Sequence, residues 1–281
     1  MTGHRGLIGS CLLQRLQEQG DEVAGLIDSR DGSDIRDIEK LPISGPVDVL
    51  IHLASFCKIN KIIQEPGLSI SHNVLGTSAV MEFCRKRGIP KVIFTSSSRV
   101  LSHEKNPYTA GKIFGEELVK GYRDCYGIDF VILRPSTVYG PFNDLTGRLI
   151  DTFILNALTS KPLRIYGDKD KTLDFTYVDD FADATLLAMD QENEVFDVSG
   201  DQEVRVNYLA ELIIGLNGGQ GSIEHHPPEV AQPQRVKVDI TKLRQLGYKP
   251  KVSIEEGVER CYRWYSQHLR EVLAARGDNS H

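Results

Sequence analysis

The chain has 281 residues, 40% of them hydrophobic, and a formal net charge of −6. That suits one large α/β domain, or a domain with a smaller lobe. The acidic balance, with no basic stripe, argues against a nucleic-acid partner, and no apolar run nears the ~20 residues that cross a bilayer.

The predicted elements alternate. Leu7–Gln19 is amphipathic and reads as a helix, 22–27 as a short strand, and 47–53 (VDVLIHL) as a buried strand. Residues 74–87 have helical periodicity, Lys91–Thr95 (KVIFT) is a strand, 108–126 a long helix and 130–134 (FVILR) a strand. Near-continuous apolar strands between helices predict a doubly wound parallel sheet, a Rossmann-like α/β fold. After Pro135 the spacing loosens. Helices are expected over 149–159, 179–189, 208–216 and 254–273, strands at Leu163–Tyr166 and Glu194–Val198, and a loop over 218–234. This divides the chain into a dinucleotide-binding part, mainly 1–140, and a smaller C-terminal substrate lobe, mainly 141–281, with some segments returning. Only Met1 and Thr2 precede Gly3, so the first strand, which should feed the glycine turn, is expected to be missing from the chain. The five cysteines, Cys11, Cys57, Cys84, Cys125 and Cys261, form no CxxC pair, and no basic, apolar leader precedes Gly3. Both lead to the expectation of a cytoplasmic protein with reduced thiols.

Two features carry chemistry. Gly3-His-Arg-Gly6-Leu-Ile-Gly9 opens the first helix, where backbone N–H groups and the helix dipole can receive a pyrophosphate. Tyr108 and Lys112 stand four apart, on one helix face. An ammonium beside a phenol favours the phenolate, giving an acid/base near neutral pH. A serine of Ser96-Ser97-Ser98 can hold the oxygen on which that tyrosine acts. Together they predict redox chemistry at a carbinol carbon beside a nicotinamide. Asp28, ending the second strand, suits ribose hydroxyls and disfavours a 2′-phosphate, so NAD is the expected cofactor, although Arg5 and Arg30 could bind that phosphate. No ligand cluster accompanies His225 and His226, so no metal is expected. His52 reads as a packed strand-end residue.

In order along the chain, Thr2-Gly3-x-x-Gly6-x-x-Gly9, Asp34-Ile-Arg-Asp37, His52-Leu-Ala54, Asn73-Val-Leu-Gly-Thr77, Ser96-Ser-Ser98, Tyr108-x-x-x-Lys112 and Arg134-Pro-Ser-Thr-Val-Tyr-Gly-Pro141 appear. Tyr166-Gly-Asp168, Asp174-Phe-Thr-Tyr-Val-Asp-Asp180, Leu246-Gly-Tyr-Lys-Pro250 and Ile254-Glu-Glu-Gly257 follow. The set resembles the extended short-chain dehydrogenase/reductase family, in its NAD-dependent sugar-nucleotide epimerase/dehydratase branch. The resemblance implies Ser97, Tyr108 and Lys112 as catalytic residues. It implies a cofactor site from Gly3, Arg5, Gly6, Leu7 and Ile8 with Asp28, Asp34 and Ile35. Leu53, Ala54, Ser55, Asn73, Thr95, Tyr108, Lys112, Pro135 and Val138 complete that site. Ser97, Ser98, Tyr108, Asn143, Lys171 and Arg235 would meet a nucleotide-sugar substrate. The family also implies a homodimer through the 74–87 and 108–126 helices.

Departures fall on the substrate side. Ser97 and Tyr108 are eleven apart, where the family has a longer insert. Leu101 replaces a common tyrosine. Leu173 replaces the arginine that grips the diphosphate, with Lys171 nearby, and the Arg-x-Gly-Asp segment expected ahead of Asp239 is missing, with Arg235 as its substitute. Ser98-Arg99 stands where a 4,6-dehydratase has Asp-Glu. The expected activity is therefore epimerisation of a nucleotide sugar through a transient keto intermediate. The alternatives are an NAD(P)H-dependent reductase of a keto-sugar or small carbonyl compound, and a non-catalytic dinucleotide-binding regulator.

Overall fold

The computed structural model describes residues 1–43, 45–168, 170–230, 232 and 238–277. Helix α1 (Leu7–Gln19) leads to strand β1 (Leu50–His52), a short helix α2 (Ile59–Gln64), a π-helical turn (Ser69–Val74) and α3 (Leu75–Arg87). Then come β2 (Lys91–Thr95), α4 (Pro107–Tyr126), β3 (Asp129–Pro135) and β4 (Thr137–Tyr139). They are followed by α5 (Leu149–Leu158), β5 (Leu163–Tyr166), β6 (Thr172–Leu173), β7 (Phe175–Tyr177), α6 (Val178–Met189) and β8 (Glu194–Val198). Last are β9 (Val204–Arg205), α7 (Val206–Leu216), β10 (Ile223–His226), α8 (Thr241–Gln245) and α9 (Ile254–Gly277).

Strands β1, β2, β3 and β8 form one parallel sheet in that order. Leu50 pairs with Val92, Ile93 with Val131 and Leu133 with Phe196. Side chains alternate across the sheet, and both sets are buried. Ile51, Ile93, Val131 and Leu133 pack with Leu12 of α1, Phe181 of α6 and Tyr265 of α9. Leu50, Val92, Phe94, Phe130 and Ile132 pack with Val80 and Met81 of α3 and Val119 of α4. The doubly wound expectation is borne out.

Thr2 stands at the β1 edge of this sheet, in parallel bridges to His52 and to Ile27. The expected strand at 22–27 is reduced to that bridge, flanked by bonds from the Met1 amino group to the Gly25 carbonyl (2.7 Å) and from Ile27 N–H to the Met1 carbonyl (3.1 Å). The 218–234 expectation needs correction as well: it contains β10, which runs parallel to β5. Its sequence, Ile-Glu-His-His, lacks an apolar pattern because the pair is a small outlying sheet with Glu224 and His225 exposed. Among the described residues no helix is long and apolar enough to cross a membrane.

Candidate active site

The glycine turn leaves the sheet between Ile27 and β1, with Gly3 N–H bonded to the Ile27 carbonyl at 2.8 Å. Gly3 has φ +75°, and a Cβ there would lie 2.8 Å from the Ala54 nitrogen. A Cβ at Gly9 would fall 2.1 Å from the Gly3 carbonyl oxygen. No other residue fits either position without moving backbone. Gly6 is the N-cap of α1 and makes no side-chain cap bond, so the helix start is built to be met by an outside acceptor. Leu7 is buried and Ile8 half-buried behind it.

Asp28 accepts from Arg5 N–H (3.0 Å) and Arg30 N–H (2.9 Å), tying the glycine turn to the end of the 22–27 segment. The two arginines are engaged elsewhere. Arg5 pairs with Asp31, and Arg30 donates to the Arg5 carbonyl and lies 5.7 Å over the Phe142 ring. Asp34 caps the next turn through Arg36 N–H (2.9 Å), and its carboxyl is held at about 2 by the Arg36 guanidinium. Ile35 packs under Gly76 of α3. A glycine turn fitted to a pyrophosphate, tied to an acid at the end of the neighbouring segment, suits NAD.

Asn73 lies in the π-helical turn and is buried. Its Oδ1 accepts from Ser55 Oγ (3.1 Å) and Phe56 N–H (2.8 Å), and its Nδ2 donates to the Phe56 carbonyl (3.0 Å). The amide thus holds the loop that follows Leu53 and Ala54. Ser69, one turn earlier, donates to the Pro107 carbonyl at 2.7 Å, at the start of α4. His52 is 2% exposed and bonded at both ring nitrogens, to Thr2 Oγ1 (2.8 Å) and Thr77 Oγ1 (3.2 Å).

Helix α4 begins where Asn106 accepts from Thr109 N–H at 3.0 Å and Pro107 takes the first helical position, both strong start signals. That start places Tyr108 and Lys112 over the ends of β2 and β3. Tyr108 is 8% exposed and Lys112 5%. Ser97 leaves β2 at the head of a short 3₁₀ turn, and its hydroxyl pulls the Tyr108 phenol pKa down. The three predicted catalytic residues therefore meet. Their electrostatics differ from expectation. Burial pushes the Tyr108 phenol up to about 12, and nearby Cys57 adds to this. The groups that pull it down are Arg99, Ser97 and Arg148. Lys112 Nζ donates to the Thr95 carbonyl at 2.7 Å and lies 5.9 Å from the centre of the Tyr108 ring. Burial lowers Lys112 to about 8.

Reading the sequence missed Glu116, one further turn along the Tyr108–Lys112 face. It is 3% exposed and takes Ser96 Oγ (2.5 Å), Arg134 Nε (2.8 Å) and Arg134 Nη2 (2.6 Å). This forked ion pair locks α4 onto β2 and β3. The i, i+4, i+8 spacing was its only signal. Arg99 and Arg148 were missed too. Arg148 gives Nη1 to the Val138 carbonyl (2.8 Å) and pairs with Asp144 at 3.2 Å.

Other predicted residues scatter. Ser98 is buried beside Ser97, and Pro135 and Val138 are buried around the end of β3. Thr95 Oγ1 is buried without a partner. Asn143 lines a cavity of about 540 Å³ with His4, Arg5, Gln14, Arg30 and Phe142, outside the Ser97–Tyr108 cluster. Lys171 is half-buried near Arg99. Arg235 lies outside the described residues. His226 pairs with Glu224 and packs on Tyr166; among the described residues no group of three His, Cys, Asp or Glu side chains could hold a metal.

The profile of the NAD dependent epimerase/dehydratase family matches residues 1–199. The chain belongs to this family. A putative UDP-glucose 4-epimerase of Methanocaldococcus jannaschii is 32% identical over 96% of this chain and 99% of its own length. The UDP-glucose 4-epimerase of Mycolicibacterium smegmatis is 29% identical, covering 94% and 97%. Among solved structures, the Thermotoga maritima UDP-glucose 4-epimerase with UDP-glucose superposes with TM-score 0.85 at 26% identity, over 95% of this chain and 98% of that one. The family resemblance read from the motifs is thereby borne out.

Proposed function

We propose that this protein is an NAD-dependent epimerase of a nucleotide sugar, working through a transient keto sugar. The observation that carries the reading is the meeting of Ser97, Tyr108 and Lys112, buried at the carboxyl edge of the sheet beyond a glycine turn shaped for a dinucleotide. The names of the similar proteins support it. Ser97 hydrogen-bonds the reacting hydroxyl oxygen. Tyr108 takes the hydroxyl proton as the C–H bond gives up its electron pair and the C=O bond forms, and returns that proton in the reverse step. NAD, held by the glycine turn, would supply the acceptor and later the donor of that hydride. At rest Tyr108 holds its proton, since burial has raised its pKa, so its use as a base depends on cations within reach of the phenol. Arg99 and Arg148 supply that field. Lys112, bonded to Thr95, fixes the helix face and presents an ammonium to the cofactor ribose.

In this reading residues 1–140 mainly hold the cofactor, and 141–281 mainly the sugar. The protein acts in the cytosol, in keeping with its five unpaired cysteines. It works as a homodimer through α3 and α4, whose Leu75, Phe114 and Tyr126 are exposed. The test is incubation with NAD and a panel of UDP-, GDP-, dTDP- and CDP-sugars, followed by NMR. Epimer formation without net NADH is expected. Stoichiometric consumption of NAD(P)H on a keto sugar, with no epimer from any parent, would put the reductase in its place.

A further inference from the structure

The chain that leaves the carboxyl end of β10 reaches across to the cofactor half of the molecule. Its root is fixed. The His226 carbonyl accepts Gly167 N–H at 3.0 Å, and the His226 ring lies 5.2 Å from that of Tyr166. Pro227 and Pro228 come next. Each ring locks its own φ, so the pair forms a stiff arm. Glu229 stands at its tip, and Val230 beyond is 77% exposed.

The tip is held by one side chain. Asn60 Nδ2 donates to Glu229 Oε1 at 3.0 Å, and Asn60 Oδ1 accepts from Gln232 Nε2 at 3.2 Å. A single amide thus grips the arm with its donor and its acceptor at once. The two bonds join points 169 and 172 residues apart. Asn60 is the second residue of α2, which packs against α4, the helix that carries Tyr108. It follows Phe56 by four residues, and Asn73 holds both the N–H and the carbonyl of Phe56. The post is therefore continuous with the cofactor loop, whereas the arm belongs to the outlying β5–β10 sheet. Lys171, whose Nζ reaches the Tyr166 carbonyl at 3.5 Å, stands at the root of the arm.

The strength of the clasp suits a part that moves. Both bonds are exposed, where water competes and each contributes little. A buried forked pair such as Glu116–Arg134 fastens its elements for good, whereas two exposed amide bonds fasten an arm reversibly. We propose that Pro227–Glu229 is a swinging arm, latched to Asn60, that bars the cleft between the two halves and opens to let the nucleotide sugar in and out. This deepens the epimerase reading and rests on it for the identity of the cargo. It also answers a need of that chemistry. A keto sugar formed in mid-cycle must stay until its hydride returns, and a closed arm keeps it there and keeps water out.

The test reads the arm and the cleft separately. A glutamate-specific protease cleaves after Glu229, and the fragment 230–281, followed by mass spectrometry, reports release of the arm in the protein alone. Asn60→Ala should speed this cleavage at least about threefold, with cuts at other glutamates unchanged. Stopped-flow displacement of mant-labelled UDP from the NADH-loaded protein reports the cleft. Asn60→Ala and Glu229→Ala should each speed release roughly three- to tenfold, and the double variant no more than either alone. Glu229→Gln keeps an oxygen that accepts from Asn60, so its release should stay within about twofold of wild type. Equal cleavage in wild type and Asn60→Ala would remove the latch. Faster cleavage with unchanged release would leave a surface tether that bars nothing, and equal acceleration by Glu229→Gln and Glu229→Ala would show the carboxylate charge, not the clasp, at work. Any of these overturns the proposal. If no variant binds mant-labelled UDP, the nucleotide-sugar reading fails, and release of NADH decides the arm by the same comparisons. Epimer formation with cleavage and release unchanged keeps the epimerase and removes the arm.

Discussion

Acid should destabilise this protein through His52, and the loss should reach the cofactor loop. Thr2 Oγ1 accepts from the N–H groups of Leu53 (3.2 Å) and Ala54 (3.1 Å), so its own hydrogen points to His52 Nδ1. The imidazole proton is accordingly assigned to Nε2, facing Thr77. A second proton on Nδ1 would meet a hydroxyl already donating, inside a site where burial, and then the Lys112 charge, lower the His52 pKa from 6.5 to about 3. The unfolded chain therefore binds more protons than the folded one below about pH 6.5. Stability is full above that pH and falls as pH drops from 6.5 toward 3. At pH 5 the loss is roughly 2 kcal/mol, from about 1.5 units at 1.36 kcal/mol each. Urea unfolding at pH 7 and pH 5 of wild type and His52→Asn isolates this term from the carboxylates both share. The variant starts less stable, but should lose about 2 kcal/mol less than wild type between the two pH values. Equal losses would show that His52 titrates normally, and the Thr2–His52–Thr77 argument would fail.

Tyr108→Phe keeps the ring and removes the proton carrier; kcat should fall at least ~100-fold, with NADH affinity by fluorescence titration within about twofold of wild type. Retention of a tenth of the activity would take Tyr108 out of that role. Glu116→Gln breaks a buried ion pair and should cost about 3 kcal/mol in chemical denaturation; a loss under about 1 kcal/mol would mean that Arg134 finds Asp197, now 3.8 Å away, an adequate partner. Calorimetry should give NADH at least tenfold tighter binding than NADPH. The reverse order would mean that Arg5 leaves Asp31 for a 2′-phosphate.

The elements that were legible are those whose pattern is self-contained. Lys91–Thr95 and Glu194–Val198 were bounded correctly because each is a short run with apolar residues at positions the sheet buries, Val92, Ile93 and Phe94 in the first and Phe196 and Val198 in the second. Tyr108 and Lys112 could be read together because the helix itself sets their spacing. Glu116 follows the same spacing, yet its meaning comes from Arg134, eighteen residues on and on a strand, which only the folded sheet brings near. The pull on Tyr108 was assigned to Lys112 on spacing alone. A turn of helix places the lysine beside the ring, but its ammonium is bonded to the Thr95 carbonyl, and burial dominates the phenol. Arg99 was legible only as a departure from the dehydratase Asp-Glu pair, since one arginine after three serines carries no period. Strand β10 was hidden for the same reason.

The π-helical turn at Ser69–Val74 acts as an index. Within it Ser69 reaches the Pro107 carbonyl beneath Tyr108, and Asn73 grips the backbone after Ala54. One wide turn thus references the acid/base and the cofactor loop to a common mark. Removing a single residue there to restore regular winding would rotate everything behind it by about 100°. Only one of the two grips could then stay in register. Length is thus constrained here more tightly than side-chain identity: the segment should tolerate exchange of exposed Ile70 far better than the loss or gain of one residue.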